Sequence, residues 1–276
     1  MTTTRTASGL PLGCNTVLFA MVGLDEALQH LAWAGYDGAE LAYITGMVEH
    51  VQPGQDTASY KEIRQKAADL GLGLYAIEVT PNAAERVEAA CQIASELEIP
   101  IVAIGSGGKT GDEESFRQAV DLGRTLAAVA GRYGVRLALK PHVGAAVYNT
   151  DTALKAWQEI GSEHLGLNFD PSHLVRAGED VAEAARQFTA AGAVVHSHFR
   201  DCLTQQIGGP PGPPEEQVPG RGRVDIPAVL RALNEGGYDG VLDLEVIGAK
   251  SYPVSRAMGI AAETRGYLNR VLQEIG

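Results

Sequence analysis

Four short apolar runs in the second half of the chain end on side chains that can carry protons or hold a cation. They read LALKPHVG (137–144), LGLNFDPSHL (165–174), AVVHSHFRD (193–201) and GVLDLEVIG (240–248). Asp170, His173, His196, His198 and Glu245 stand where buried strands should emerge, with Lys140 and His142 beside them. Carboxylates and imidazoles from neighbouring strand ends suit a hard or borderline divalent cation. Asp170, His196 and Glu245 come from three consecutive strands and are expected to hold Mn2+, Mg2+ or Zn2+, with positions open for substrate oxygens. Such an ion would polarise a sugar carbonyl, and a nearby carboxylate or imidazole would move a proton on the adjacent carbon.

The elements that must position these residues alternate along the whole chain. Strand-like runs occupy 12–20, 37–44, 73–79, 100–105, 135–141, 165–170, 194–199 and 240–247. Amphipathic or Ala-rich helical stretches lie at 24–34, 58–70, 82–97, 113–133, 150–160, 179–190, 226–236 and 254–274. Gly35, Gly71, Gly134 and Gly236 mark helix stops. The strands are nearly continuous apolar runs, as parallel strands covered on both faces read. Strict β/α alternation fits a single-domain (β/α)8 TIM barrel over residues 1–276. An open doubly wound sheet uses the same units, but the first βα turn (Phe19–Leu24) has no GxGxxG fingerprint. A barrel also gathers all the polar strand ends on one face, where barrel enzymes place their chemistry.

Composition narrows the function classes. The net charge of −12 argues against nucleic acid, which requires clustered Lys and Arg. No run reaches the length of a membrane span, and the first residues, MTTTRTASGLPLG, lack the apolar centre of a signal peptide. Cys14, Cys91 and Cys202 are sparse, odd in number and far apart, which suggests a reducing compartment and a cytoplasmic protein. The expected partner is a small sugar or sugar derivative. One segment departs from the β/α pattern: 205–223, QQIGGPPGPPEEQVPGRGR, is a Pro/Gly-rich insertion. A segment of this length is a lid, a binding loop, an arm through which barrels pair as homo-oligomers, or a mobile surface insertion.

From YDGAEL (36–41) to DLEV (243–246) the chain resembles the xylose isomerase-like TIM barrel superfamily of sugar isomerases, ketose 3-epimerases and inosose dehydratases. The resemblance is most specific at FDPSH (169–173), HSHFRD (196–201) and GRGRVD (220–225). It implies that Asp170, His196 and Glu245 are metal ligands and that Glu245 is also an acid/base. It further implies that His173 contacts substrate or metal, and that Glu40 and Glu78 line the pocket. Members of the family usually carry Glu on the fifth strand, as LALE-x-H; here the run is LALKPH, with Lys140 in that place.

An ammonium cannot ligate a cation, and three arrangements follow from it. A metal stays on Asp170, His196 and Glu245 while Lys140 faces a carboxylate or substrate; or the ammonium replaces the metal; or Lys140 forms a Schiff base. Surrounding acids would raise the lysine pKa and oppose the last. Two-base epimerisation would lack its second base, whereas elimination beside a carbonyl needs one base, one electrophile and one acid. The expected activity is therefore a sugar isomerase or epimerase, with a dehydratase or keto-glycoside lyase as the alternative and a non-catalytic sugar-binding role as the third. Glu245, Lys140 and His142 are the expected catalytic groups, and Glu40, Glu78, His173, His198 and Arg200 the expected substrate contacts. Arg221 and Arg223 read as solvated loop residues more readily than as anion binders. Gly105–Gly111 reads as a permissive loop, His50 as a loop histidine, His30 and His164 as surface residues, and Trp33 and Trp157 as helix-packing tryptophans.

Overall fold

The computed structural model describes residues 9–275. The signal-peptide reading rests largely on residues 1–8, which lie outside the described residues. Among the described residues there are nine strands: β1 (Leu12–Asn15), β2 (Gly38–Ile44), β3 (Val48–Glu49), β4 (Gly73–Thr80), β5 (Ile101–Gly105), β6 (Arg136–Lys140), β7 (Leu165–Phe169), β8 (Val194–Phe199) and β9 (Leu242–Leu244). All except β3 run parallel to their neighbours, in the order β1-β9-β8-β7-β6-β5-β4-β2, and β1 also pairs with β2, so the sheet closes on itself. The short β3 turns back antiparallel on the end of β2, a hairpin that the sequence periodicity does not reveal.

Helices α1 (Leu24–Ala34), α2 (Thr57–Asp69), α3 (Ala84–Glu96), α4 (Glu113–Arg132), α5 (Thr150–Ile160), α6 (Pro171–Arg176), α7 (Val181–Ala190), α8 (Ile226–Glu235) and α9 (Val254–Ile275) follow the strands. Among the described residues none is long and apolar enough to cross a membrane. The eight-unit barrel expected from the alternation is thus the architecture observed. One contiguous core joins the outward faces of the strands to the inner faces of the helices, with Leu12, Leu41, Ile77, Val102, Leu137, Leu165 and Phe199 all buried. Burying each side chain of this size stabilises the fold by roughly 1.5–3 kcal/mol.

Local signals behave as their chemistry requires, with instructive exceptions. Gly35, Gly71 and Gly134 adopt left-handed φ at helix ends, but after α8 the left-handed residue is Gly237, and Gly236 keeps φ −78°. The first strand-like run splits: after Asn15 the chain tightens into a 3-10 turn over Thr16–Phe19, capped by the Asn15 side chain accepting from the Val17 N–H. Trp33 lies 68% exposed on α1 and does not pack on the barrel, while Trp157 does lie against the core. His30, expected at the surface, is buried and stacks on Phe19 at 5.4 Å between ring centroids.

The 205–223 segment is anchored at several points. The Asp201 carboxylate accepts the N–H groups of Cys202 (2.8 Å), Gly220, Gly222 and Val224 (3.0 Å each). Buried Gln217 donates to the carbonyls of Gly212 (2.9 Å) and Ile247 (3.0 Å) and accepts from the Ile247 N–H. Arg176 donates to the Gly209 carbonyl at 3.0 Å. These bonds tie the loop to α6 and to the strand ends of β8 and β9 at Gly209, Gln217, Gly220, Gly222 and Val224.

Candidate active site at the barrel mouth

Lys140 ends β6, where RLALK alternates Leu137 and Leu139 with Ala138 and Lys140 on the opposite face. That face looks into the barrel, because Lys140 Nζ meets groups from three other strand ends. It donates to Glu78 Oε1 at 2.7 Å and Glu245 Oε1 at 3.2 Å, and lies 3.1 Å from His198 Nδ1. All four side chains are buried. Burial alone would depress the lysine, but the Glu245 and Glu78 charges outweigh it and raise its pKa, so the ammonium persists. A Schiff base at Lys140 loses support from this geometry, since a neutral amine is disfavoured.

The two carboxylates around Nζ differ in proton affinity. Burial and the neighbouring Glu245 charge push Glu78 up to about 7, against the opposing pull of Lys140. Burial acts on Glu245 in the same sense, but Arg200, Lys140 and His198 outweigh it and hold Glu245 well below the usual carboxylate range. One acid is ionised and the other exchanges its proton near neutrality, the division of labour that acid/base sites use.

Arg200 supplies a second buried cation. Its Nη2 lies 3.3 Å from Asp170 Oδ2, 3.3 Å from Glu245 Oε2 and 2.7 Å from His173 Nε2. Asp170 also caps α6, accepting the His173 N–H at 3.2 Å, with Pro171 as first helical residue. Asp-Pro at a strand end is a helix-start signal, and it explains this extra short helix. Burial and the adjacent Arg200 charge keep His173 neutral, far below an ordinary histidine. Arg200 Nε and Nη1, and Glu245 Oε2, are buried without a hydrogen-bond partner.

Below this layer lies a second polar group. His196 and His198 alternate onto the same face of β8, their ring centroids 5.2 Å apart. Glu40 Oε2 accepts from His198 Nε2 and Asn15 Nδ2, both at 2.7 Å. His196 Nε2 lies 3.2 Å from Glu40 Oε1 and 3.6 Å from Asp243 Oδ2, without hydrogen-bond alignment to either. Burial, reinforced by the Glu40 charge, raises Asp243 well above its ordinary value.

The rim is wetter. His142 is partly exposed, its ring centroid 3.9 Å from that of His173 and tilted 40° to it, and partial burial together with Lys140 lowers it to about 4. Beside the mouth a cleft of about 600 Å³ runs between Val17, Met47, Pro213, Ile247 and Tyr252.

Of the residues expected at the site, Lys140, Glu78, Glu245, His198, Arg200, Asp170 and His173 form one connected network, with His142 above it. Glu40 and His196 lie beneath, and Asp170, His196 and Glu245 do not form one of the converging donor sets among the described residues. Those sets are Glu40, His196 and His198, and Glu78, His198 and Glu245, each with one donor atom per residue within 4.8 Å of the others. Either could in composition hold a metal ion. The second already encloses Lys140 Nζ, and a dication there would repel the ammonium in a shielded pocket. The first contains no ammonium. Arg221 ion-pairs with Glu263 at 2.6 Å on the surface, and Arg223 donates to the Thr204 carbonyl.

Sequence reasoning passed over Asn15, Arg176, Asp201 and Asp243. Asp243 stands two residues before Glu245 and so shares its strand face, and Arg176 lies one helical turn after His173; both spacings were available signals.

Residues 28–270 match the profile of the family described as xylose isomerase-like TIM barrel. Inosose dehydratase of Clostridium perfringens (strain ATCC 13124) is 25% identical over 194 residues, covering 64% of this chain and 60% of that protein. Inosose isomerase of Bacillus subtilis (strain 168) is 27% identical over 146 residues, covering 52% and 51% respectively. The aligned segments thus span only about half to three-fifths of these relatives. The crystal structure of the IOLI protein with a binding zinc atom superposes with a TM-score of 0.79 at 19% identity, covering 97% of this chain and 99% of that one, a likeness of fold.

Proposed function

Because the chain belongs to the xylose isomerase-like TIM barrel family, we propose that it is a sugar-modifying enzyme that moves protons beside the carbonyl of a keto-sugar or cyclic keto-polyol. The reaction supported best is elimination: loss of the proton next to the carbonyl and departure of an oxygen substituent from the next carbon. The observation that carries this reading is the set of unpartnered buried atoms at the mouth, Glu245 Oε2 beside Arg200 Nε and Nη1.

Glu245, held ionised by Arg200 and Lys140, takes the carbon-bound proton. The free Arg200 donors receive the oxygen on which negative charge develops, fixed in place beforehand by Asp170 and His173. Glu78, protonated in part near neutrality, protonates the departing oxygen, and Lys140 holds Glu78 and Glu245 at fixed separation. His142, neutral at the rim, binds a substrate hydroxyl. With Lys140 Nζ among Glu78, His198 and Glu245, the residues at the mouth do not fit a divalent metal, and no step here uses one. The dehydratase relatives agree with this chemistry. Isomerisation is a second reading: Glu78 and Glu245 both bond the same Nζ, so one could remove a proton and the other return it to a neighbouring carbon.

The test is proton NMR in D2O with a panel of inososes and ketoses. Solvent deuterium should enter the carbon beside the carbonyl, accompanied by an unsaturated or diketo product, and Glu245→Gln should slow exchange by roughly 10²-fold or more. Exchange accompanied by an isomeric sugar and no elimination selects the second reading. A folded wild-type protein that exchanges no carbon-bound proton on any of these substrates refutes both.

A further inference from the structure

We propose that the barrel interior holds a divalent-cation site beneath the mouth, with Glu40, His196 and His198 as ligands and Asp243 closing it from the side. The inference is independent of the reaction assigned to the mouth. These four side chains are at most 1% exposed, and one donor atom from each of the three ligands lies within 4.8 Å of the others.

What distinguishes this place is unmet bonding capacity. Glu40 Oε1, both ring nitrogens of His196 and both oxygens of Asp243 are buried without a hydrogen-bond partner. Asn168, in register with His196, likewise has both amide atoms buried and unpartnered. Buried polar atoms are nearly always paired, and leaving several unpaired in one place is costly. No lysine or arginine forms an ion pair with Glu40 or Asp243 among the described residues; their charged neighbours are imidazoles alone. A small cation would meet these demands together.

The donor set selects the ion. Two imidazoles and a carboxylate suit Zn2+ or another first-row transition ion and suit Mg2+ or Ca2+ poorly. Outer contacts are in place as well. Asn15 donates to Glu40 Oε2 at 2.7 Å, and His198 Nδ1 faces Glu245 Oε2 at 3.4 Å, so Glu40 and His198 are each oriented from the far side. On binding, His198 Nε2 exchanges its hydrogen bond with Glu40 for the ion. Gly13 makes room for Asp243: a Cβ at that position would fall 2.2 Å from Asp243 Oδ1.

The experiment uses full-length protein expressed with Zn2+ in the medium, or with Co2+ in its place, dialysed against metal-free buffer without chelator. Elemental analysis should give about one ion per chain for the wild type and for Glu78→Gln, which takes a donor from the mouth set and, because the Gln carbonyl can still accept from Asn15, leaves Glu40, His196 and His198 in place. His196→Gln and Glu40→Gln, checked for native circular dichroism, should each bind at least tenfold less. Asp243→Asn should retain Co2+ but shift its visible absorption. Wild-type protein without bound ion overturns the proposal. So does an ion that survives His196→Gln and Glu40→Gln but leaves with Glu78→Gln, which would place it at the mouth. Because Glu40, His196 and Asp243 take no part in the proposed proton transfer, deuterium exchange in the variants at those three positions reports on the reaction separately.

Discussion

Lys140→Met removes the ammonium that Glu78 and Glu245 share, and the structure says which acid suffers. Glu245 keeps Arg200 at 3.3 Å, whereas Lys140 is the only cationic side chain ion-paired with Glu78 among the described residues, at 2.7 Å. Removing one member of a buried pair costs about 3–5 kcal/mol when the other must stay charged. Glu78 can escape by binding a proton. Its affinity is already raised to about 7 with the lysine lowering it, and without the lysine it rises further. At Glu78 the folded variant therefore holds nearly one proton more than the folded wild type at pH 8.5 and about half a proton more at pH 7, while the same carboxyl in both unfolded chains holds none there. Stability tied to a raised pKa is lost as pH rises, by about 1.4 kcal/mol per unit per proton. The variant's deficit should be about 4 kcal/mol at pH 8.5 and smaller by about 2 kcal/mol at pH 6.5. Urea unfolding followed by circular dichroism at the two pH values measures both numbers. Adding Glu78→Gln to Lys140→Met should recover most of the deficit at pH 8.5. A deficit equal at both pH values, or unrelieved in the double variant, would show that packing of the lysine stem and not its charge is what matters.

Two further expectations concern the frame around the site. Asp201→Ala strips the acceptor from four backbone N–H groups and should destabilise the protein by about 3 kcal/mol. Limited proteolysis should then cut within 205–223, and an unchanged digestion pattern would contradict the anchoring role. Gly13→Ala drives a methyl into Asp243 and Val241 and should cost about 1–3 kcal/mol by thermal unfolding, with part recovered by Asp243→Ala. No change on Gly13→Ala would mean that Asp243 can swing away freely.

The barrel was legible because its signal is repeated eight times. Apolar runs and amphipathic helices alternate so regularly that most helix ends fall within two residues of their expected places, as for 24–34 and Leu24–Ala34. Glycines at helix stops were readable up to the residue, where Gly236 and Gly237 compete and only backbone geometry decides. Tertiary placement limited the rest. His30 and Trp33 lie one turn apart on α1, yet one is buried and the other exposed, and no local pattern separates them. At the site, residue types were legible but depth was not. HSHFRD offers two histidines on one face, and sequence alone does not say which stands at the level of Glu245; the structure puts His198 there, 3.4 Å from Glu245 Oε2. The replacement of a usual glutamate by Lys140 was visible in LALKPH, but its three partners come from 58 to 105 residues away.

Arg200 and Asp201 are adjacent, and they face different tasks. One side chain enters the charged mouth; the other gathers the two ends of the Pro/Gly-rich loop. The cleft beside the mouth takes Pro211, Pro213 and Pro214 from that loop as one wall. A single stretch of backbone thus fixes one wall of the charged mouth and, separately, one wall of the cleft beside it. The side chains of the proline-rich stretch can be rewritten without disturbing the network below, provided that Asp201, Gly220 and Gly222 keep the ends clasped and Gln217 and the Gly209 carbonyl keep their bonds. If the proposed reaction holds, selectivity for what lies beyond the carbonyl becomes an exchangeable part of the molecule, mounted on a charged network that stays the same.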